Sequence, residues 1–366
     1  MDDIDRDFDN CSANMPKKGR EAWPGEKNLW RAKGLTLAMP ASAGEICQGV
    51  YRGRERLASC TVDLFNRLAL FPGRLNRRGK PAKNNASYKI RSSAYKSGEI
   101  SSRPALYYYR LLPGAAKRPG DILKLHSPPP KFSQLFDRLC SQIKKKRLPG
   151  EISAVHISRI PLGAGMGSST ADLALIASGL YRLAGERSSP EKLARLLPRL
   201  EPTDSTIFSE ITIFEQNYGS SWQRLGGISG GFKVLALRRP GSINTLSSRR
   251  FRQQPPDLHG CFELLKRAIE KDSLRLLGRA ATFSAKRWSD RLEYPALEEI
   301  IDLALSCGFA GINAAHSGSI LGAIFREDEA DIEKFNALLE RRGLSPLYPC
   351  RRTYRAVGGG IRKVSV

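Results

Sequence analysis

Long apolar runs are missing from this chain of 366 residues. The richest stretch, Leu173 to Gly185, is short and carries Arg182, whereas a bilayer span needs about 18 or more consecutive apolar residues. A membrane-spanning helix is excluded on that ground. The start, Met1-Asp2-Asp3-Ile4-Asp5-Arg6-Asp7-Phe8-Asp9, lacks the basic and apolar parts of a secretory signal and is too acidic for a transit peptide, so the expected compartment is the cytoplasm. Cysteine is sparse: Cys11, Cys47, Cys60, Cys140, Cys261, Cys307 and Cys350 stand at least 13 residues apart, with no C-x-x-C pair and no histidine at zinc spacing. Structural disulfides and structural zinc are not expected. Hydrophobic residues at 41% and charged residues at 26% match ordinary globular usage, which excludes a wholly disordered or collagenous chain.

Acidic residues are also scarce in one region. Between positions 72 and 150 only Glu99, Asp121 and Asp137 stand against 19 lysines and arginines, so this segment supplies +16 of the net +24. Three readings suit it: a solvated insertion, a lid over a bound nucleotide, or a contact with nucleic acid or an anionic surface. Tyr88, Tyr95 and Tyr107 to Tyr109 could stack on bases, yet no known nucleic-acid module accompanies them. The solvated insertion is therefore the expectation, with neither a nucleic-acid nor a membrane partner.

At about 150 residues per domain, the length suggests two domains. Residues 1–34 mix Asp, Lys, Asn, Gly and Pro without an apolar period and read as a flexible extension. Leu35 to Ala38 reads as a strand that breaks at Met39-Pro40 into a small-residue loop, and Val62 to Phe71 as a second strand. Apolar spacing predicts helices over Phe132 to Lys146, Pro190 to Leu200, Leu264 to Arg279 and Leu297 to Ser306, with a strand over Phe232 to Leu237.

The most informative stretch is the strand Ile152 to Ile157, the loop Pro161-Leu162-Gly163-Ala164-Gly165-Met166-Gly167, and a helix from Ser168 to Ala184 that opens Ser168-Ser169-Thr170. Glycine amides and a helix N-terminus converge there, where an anion, most naturally a phosphate, binds. The loop is not a Walker A loop, because Gly167 is followed by Ser168 with no lysine between them, and it lacks the third glycine of a dinucleotide fingerprint.

The P-x-x-x-G-x-G-S-S pattern of this loop resembles the second motif of the GHMP small-molecule kinases. Pro40-Ala41-Ser42-Ala43-Gly44-Glu45-Ile46-Cys47-Gln48-Gly49 resembles their first motif, and Asn313-Ala314-Ala315-His316-Ser317-Gly318-Ser319 their third. Within the superfamily, Glu201-Pro202-Thr203-Asp204-Ser205-Thr206, the A-H-S-G-S run, Arg54 to Cys60 and Val357-Gly358-Gly359-Gly360 are similar to segments of the L-threonine kinases of cobalamin biosynthesis. Ala43 departs from the cysteine usual in that first motif, and Ala164 from the lysine usual beside the loop.

The resemblance implies an α+β, two-lobed GHMP kinase fold with a ribosomal-protein-S5-like N-terminal lobe and a ferredoxin-like C-terminal lobe. It places the N-terminal lobe at 35–205, with the basic insertion at about 74–125, and the C-terminal lobe at 206–366. It implies phosphorylation of L-threonine by ATP with Mg²⁺, the alternatives being another small hydroxylated acceptor such as homoserine, or a non-catalytic basic binding protein on the same fold. A homodimer is compatible with it. ATP would be cradled by Pro161, Leu162, Gly163, Ala164, Gly165, Met166, Gly167, Ser168, Ser169 and Thr170. Mg²⁺ would be held by Ser168 and Glu201, with Asp172 as the second choice of carboxylate or else a partner of the helix dipole. Asp204 would act with Ser168 in catalysis, as the base, or would simply cap a helix. Ser42, Gly44, Glu45, Gln48, His316, Ser317 and Gly318 would border the acceptor, with Glu45 suited to its ammonium group.

Overall fold

The computed structural model describes residues 35–72, 105–111, 135, 138–139, 152–240, 254–292, 294–316 and 318–364. The expectations for residues 1–34, for most of the basic segment and for Ser317 lie outside them. So does the helix expected over Phe132 to Lys146, except at Leu135, Arg138 and Leu139, which are helical.

Two long strands, β1 (Leu35–Tyr51) and β2 (Arg54–Pro72), open the fold as an antiparallel hairpin. β3 (Ala105–Leu111) and β4 (Ile152–Ser158) extend the sheet beyond β2. Helices α1 (Ser168–Leu183) and α2 (Pro190–Leu196) follow, then β5 (Ile211–Phe214), β6 (Trp222–Gly226) and β7 (Lys233–Arg238). The rest includes α3 (His259–Glu270), α4 (Leu274–Arg287), α5 (Leu297–Ser306), β8 (Gly311–Ala314), β9 (Ile320–Phe325), α6 (Ile332–Arg341), β10 (Cys350–Arg355) and β11 (Arg362–Lys363), with a further short helical turn at Ser289–Leu292.

The strands join one mixed-length antiparallel sheet in the order β10-β7-β9-β8-β1-β2-β4-β3, with β11 added to β1 and the β5–β6 hairpin to β2. β8 and β1 meet at a single residue pair, Glu45 opposite Ala314. That pair is a seam: the first-motif strand touches the third-motif strand there and nowhere else along the ladder. The small, apolar face of α1, with Ala171, Leu173, Ala174, Leu175 and Ala177 all fully buried, packs on β1 and β2. Burying such a face offsets the entropy of ordering the helix and its loop. No helix among the described residues is long and apolar enough to cross a membrane.

Two local expectations are corrected. The strand at Leu35 does not end at Met39-Pro40; it continues to Tyr51 through register shifts at Pro40/Ala41, Ser42/Glu45 and Glu45/Cys47. Bulges of this kind accommodate a proline without a donor and a glycine with positive φ, here Gly44 at 91°. The helix expected over Leu264 to Arg279 is two helices. Asp272 turns left-handed at φ 49°, and the Ser273 hydroxyl accepts from the Leu276 amide at 3.3 Å to start α4, a cap that periodic leucines on both sides conceal.

Candidate active site

The phosphate loop is held from below by one asparagine. Asn66, fully buried within β2, accepts the amides of Arg159 and Ile160 through Oδ1 at 2.7 and 2.9 Å, which fixes the chain as it leaves β4. The loop then alternates: Gly163, Gly165 and Gly167 all adopt positive φ, at 68°, 77° and 70°, a conformation costly for any residue with a Cβ. Helix α1 starts on Gly167 with no side-chain cap and no acidic residue in its first turn. Its N-terminal amides and the positive end of its dipole are thereby left to an anion.

The two carboxylates considered for Mg²⁺ are placed differently. Asp172 is buried; its Oδ1 lies 2.9 Å from His156 Nε2 and accepts from Asn66 Nδ2, so it belongs to the layer between helix and sheet. Glu201 is partly exposed and accepts a hydrogen bond from Ser169 Oγ. Among the described residues no group of three or more His, Cys, Asp or Glu side chains is arranged to hold a metal ion. A loop that can hold a polyphosphate beside one carboxylate and a serine hydroxyl nevertheless fits Mg²⁺, which binds through one or two carboxylates and phosphate oxygens while keeping water ligands.

Asp204 lies directly on this loop. Its amide donates to Thr170 Oγ1 at 3.1 Å, and a Cβ built on Gly167 would fall 2.6 Å from its Oδ2. It stands at the N-cap position of a single 3₁₀ turn, Ser205–Ile207, but its side chain makes no capping bond. The carboxylate is not spent on a cap. Burial, followed by the negative charges of Glu45 and Glu201, pushes its pKa up from 3.8 to about 7, against a lowering by the Thr170 hydrogen bond.

The first and third motifs close around the same loop. The Ser42 amide donates to Met166 O at 2.9 Å and the Ser319 amide to Ala164 O at 3.0 Å. A Cβ on Gly165 would lie 2.6 Å from Ala315 Cβ and 2.7 Å from Gly318 Cα, so backbone meets backbone. At the seam, buried Glu45 accepts the His316 amide on Oε2 at 2.8 Å and faces His316 Nδ1 with the same oxygen at 3.0 Å. The Trp288 ring stands edge-on to His316 with centroids 4.8 Å apart, and its Nε1 donates to Gln48 O at 2.5 Å.

The structure thus gathers Ser42, Gly44, Glu45, the loop from Pro161 to Thr170, Glu201, Asp204, His316 and Gly318 about one centre. Gln48 is engaged elsewhere: its side-chain amide donates to Glu55 at 3.3 Å, alongside Gln216 at 2.7 Å. Sequence reasoning did not single out Asn66, Trp288 or Tyr294, whose hydroxyl lies 2.8 to 3.1 Å from the carbonyls of Ala315, Gly318 and Ile320. Asn66 had a signal, an amide in the middle of the apolar run Val62 to Phe71. The two aromatics had none.

Comparison with known proteins follows the same division. The GHMP kinases N terminal domain family matches residues 133–209, and the GHMP kinases C terminal family matches residues 265–341. The L-threonine kinase of Salmonella typhimurium is 28% identical over 330 residues, covering 88% of this chain and 93% of that protein. Among solved structures, the homoserine kinase from Cytophaga hutchinsonii superposes with a TM-score of 0.57 at 14% identity, covering 96% of this chain and 100% of its own. MDDEF in complex with MVAPP, AMPPCP and magnesium does so with a TM-score of 0.54 at 13% identity, covering 91% and 99%. The first matched domain contains the phosphate loop and Asp204, the second contains His316, and they follow one another along a chain that folds like these enzymes: it carries the N-terminal and C-terminal domains of the GHMP kinases.

Proposed function

We propose that this kinase is a cytoplasmic ATP:L-threonine O-phosphotransferase, which converts ATP and L-threonine to ADP and O-phospho-L-threonine for cobalamin biosynthesis. The observation that carries the chemistry is the Asp204 carboxylate against Gly167 of the phosphate loop, with a pKa lifted to about 7. A base with that pKa is half ionised near neutral pH, where proton transfer is most effective. The choice of acceptor is supported by the Salmonella typhimurium L-threonine kinase over most of both chains, and that of Mg-ATP by the structural neighbour that holds AMPPCP and magnesium.

In this reading the loop amides and Ser168 to Thr170 hold the triphosphate, while Ser168 and Glu201 ligate Mg²⁺, which when bound neutralises charge on the phosphates. Ser42, Gly44, Glu45, His316 and Gly318 border the acceptor. The threonine hydroxyl oxygen attacks the γ-phosphorus, its proton passes to Asp204, and the bond from the γ-phosphorus to the ADP oxygen breaks. Glu45 offers a buried carboxylate to the α-ammonium group, and His316 holds that carboxylate in place through Oε2.

The test is ADP release with Mg-ATP against L-threonine, L-serine, L-homoserine and mevalonate, with a no-acceptor control. Selective turnover of threonine is expected, falling by about 10²- to 10⁴-fold in Asp204→Ala. Preferential turnover of homoserine would reassign the acceptor, and folded protein that turns over none of the four would refute the reading.

A further inference from the structure

The glycine run near the C-terminus has no part in the chemistry above, yet its backbone meets the segment that carries Asp204. After β10 the chain leaves the β7 side of the sheet: Ala356 bridges Val62, the Val357 amide donates to Thr61 O at 3.0 Å, and β11 adds to β1 at Leu37 and Ala38. Between these anchors, residues 358–360 cross the 3₁₀ turn that follows Asp204. The Gly360 amide donates to Thr206 O at 2.7 Å. A Cβ on Gly359 would lie 2.1 Å from Phe208 O and 2.3 Å from Thr206 O, and one on Gly358 would lie 2.7 Å from Ser209 O. The crossing is held at its outer end by Arg362, whose Nη2 donates to Gly358 O at 2.6 Å and whose guanidinium lies 5.0 Å from the Phe65 ring centroid.

We infer that residues 357–360 form a positioning strap, which fixes the Ser205–Ile207 turn and thereby holds the Asp204 carboxylate over Gly167. Among the described residues, three side-chain hydrogen bonds also tie the turn and Asp204 to their neighbours. Ser205 and Ser59 exchange reciprocal bonds, with the Ser59 amide to Ser205 Oγ at 2.8 Å and the Ser205 amide to Ser59 Oγ at 3.2 Å, and the Asp204 amide reaches Thr170. These ties come from β2 and α1; the strap adds the Gly360 bond and the close Gly358 and Gly359 contacts, made with backbone alone. A side chain there would meet two carbonyl oxygens that cannot retreat without moving the turn. The strap also explains why a glycine is needed at 359, where φ is not positive and conformational freedom is not the reason. A displacement of the turn by about 1 Å moves the base out of reach of the acceptor proton and costs of the order of 10²-fold in rate. The phosphate loop has anchors of its own in Asn66 and Ser319 besides the Thr170 bond to Asp204, so nucleotide binding is expected to suffer much less than the placement of the base.

This inference rests on Asp204 acting as the base, and a double-mutant cycle separates the two ideas. Full-length Gly359→Ala is expected to lower kcat by about 10- to 100-fold with the KM for ATP within twofold of wild type. In an Asp204→Ala background the same change is expected to cost less than twofold, since a base already removed cannot be misplaced. Unchanged kcat in Gly359→Ala, an equal loss in both backgrounds, or a KM for ATP that rises in step with the loss would each overturn the strap. Full activity in Asp204→Ala would remove the base reading and the strap with it, whereas an impaired Asp204→Ala beside an intact Gly359→Ala would remove the strap alone. Should Gly359→Ala fail to fold by circular dichroism, Gly358→Ala carries the same test, with its milder contact on Ser209 expected to cost about 3- to 10-fold.

Discussion

Replacing Asp204 with asparagine is expected to stabilise the protein at high pH while lowering turnover by about 10²- to 10⁴-fold. The folded chain holds the Asp204 proton up to about pH 7, whereas the unfolded chain releases it near 3.8. Between these values the folded state binds more protons than the unfolded one, so wild-type stability falls as pH rises through the window and stays low above it. The gap is about 3 pK units, and at about 1.4 kcal/mol each the penalty has a ceiling of about 4 kcal/mol. Asp204 is partly exposed, and water there screens the Glu45 and Glu201 charges, so about 2 kcal/mol is the working expectation. Asparagine keeps the shape and cannot ionise.

The assay is thermal unfolding of wild type and Asp204→Asn with EDTA and without nucleotide, because a bound cation would favour the carboxylate. With an unfolding entropy of about 2.1 cal/mol/K per residue, about 0.8 kcal/mol/K for a chain of this size, the variant gains about 3 °C at pH 8.5. At pH 5 the unfolded-state titration has progressed only about one unit, and the gain shrinks to about 1 °C. Equal gains at both pH values, or a variant less stable than wild type at pH 8.5, would refute the account of three crowded carboxylates.

The same crowding sets the rate profile. Turnover that needs ionised Asp204 is expected to rise through about pH 7, and Glu45→Gln, by removing a negative neighbour, is expected to move that acid limb to lower pH; a limb that stays in place in kcat against pH would show that Glu45 does not act on Asp204. A second contrast concerns two glycines of similar φ. Gly167→Ala, at φ 70° with its new Cβ 2.6 Å from Asp204 Oδ2, is expected to lose at least tenfold in kcat/KM. Gly185→Ala, at φ 75° with open space around it, is expected to cost only about 1 kcal/mol of stability, read by urea unfolding, with kcat/KM unchanged.

What was legible in the sequence was what short-range patterns encode. The strand from Ile152, the alternating glycines and the helix from Ser168 sit where their residues suggested, because glycine spacing and a small-residue helix are local requirements of an anion-binding turn. Continuations across a nominal breaker were not legible: Pro40 lies within β1 because the register shifts beside it, at Pro40/Ala41, and the later shifts flank Glu45, which pairs with the distant strand β8.

The choice between carboxylates shows the boundary most clearly. By spacing alone, Asp172 and Glu201 were both eligible to stand near the phosphate loop, and Asp204 was equally eligible to cap a turn. Only tertiary partners separate them: His156 and Asn66 hold Asp172 in the layer beneath the helix, Ser169 takes Glu201, and the capping bond open to Asp204 is not made. The property that suits Asp204 to proton transfer is likewise collective. An isolated aspartate is ionised at neutral pH; this one is held near its titration point by burial and by Glu45, a residue 159 positions earlier in the chain, which is itself held by His316, 271 positions later than Glu45. Motifs can name such residues, but the pKa arises first from burial and then from Glu45 at the seam where β1 and β8 meet and from Glu201, and no window along the sequence contains that surrounding.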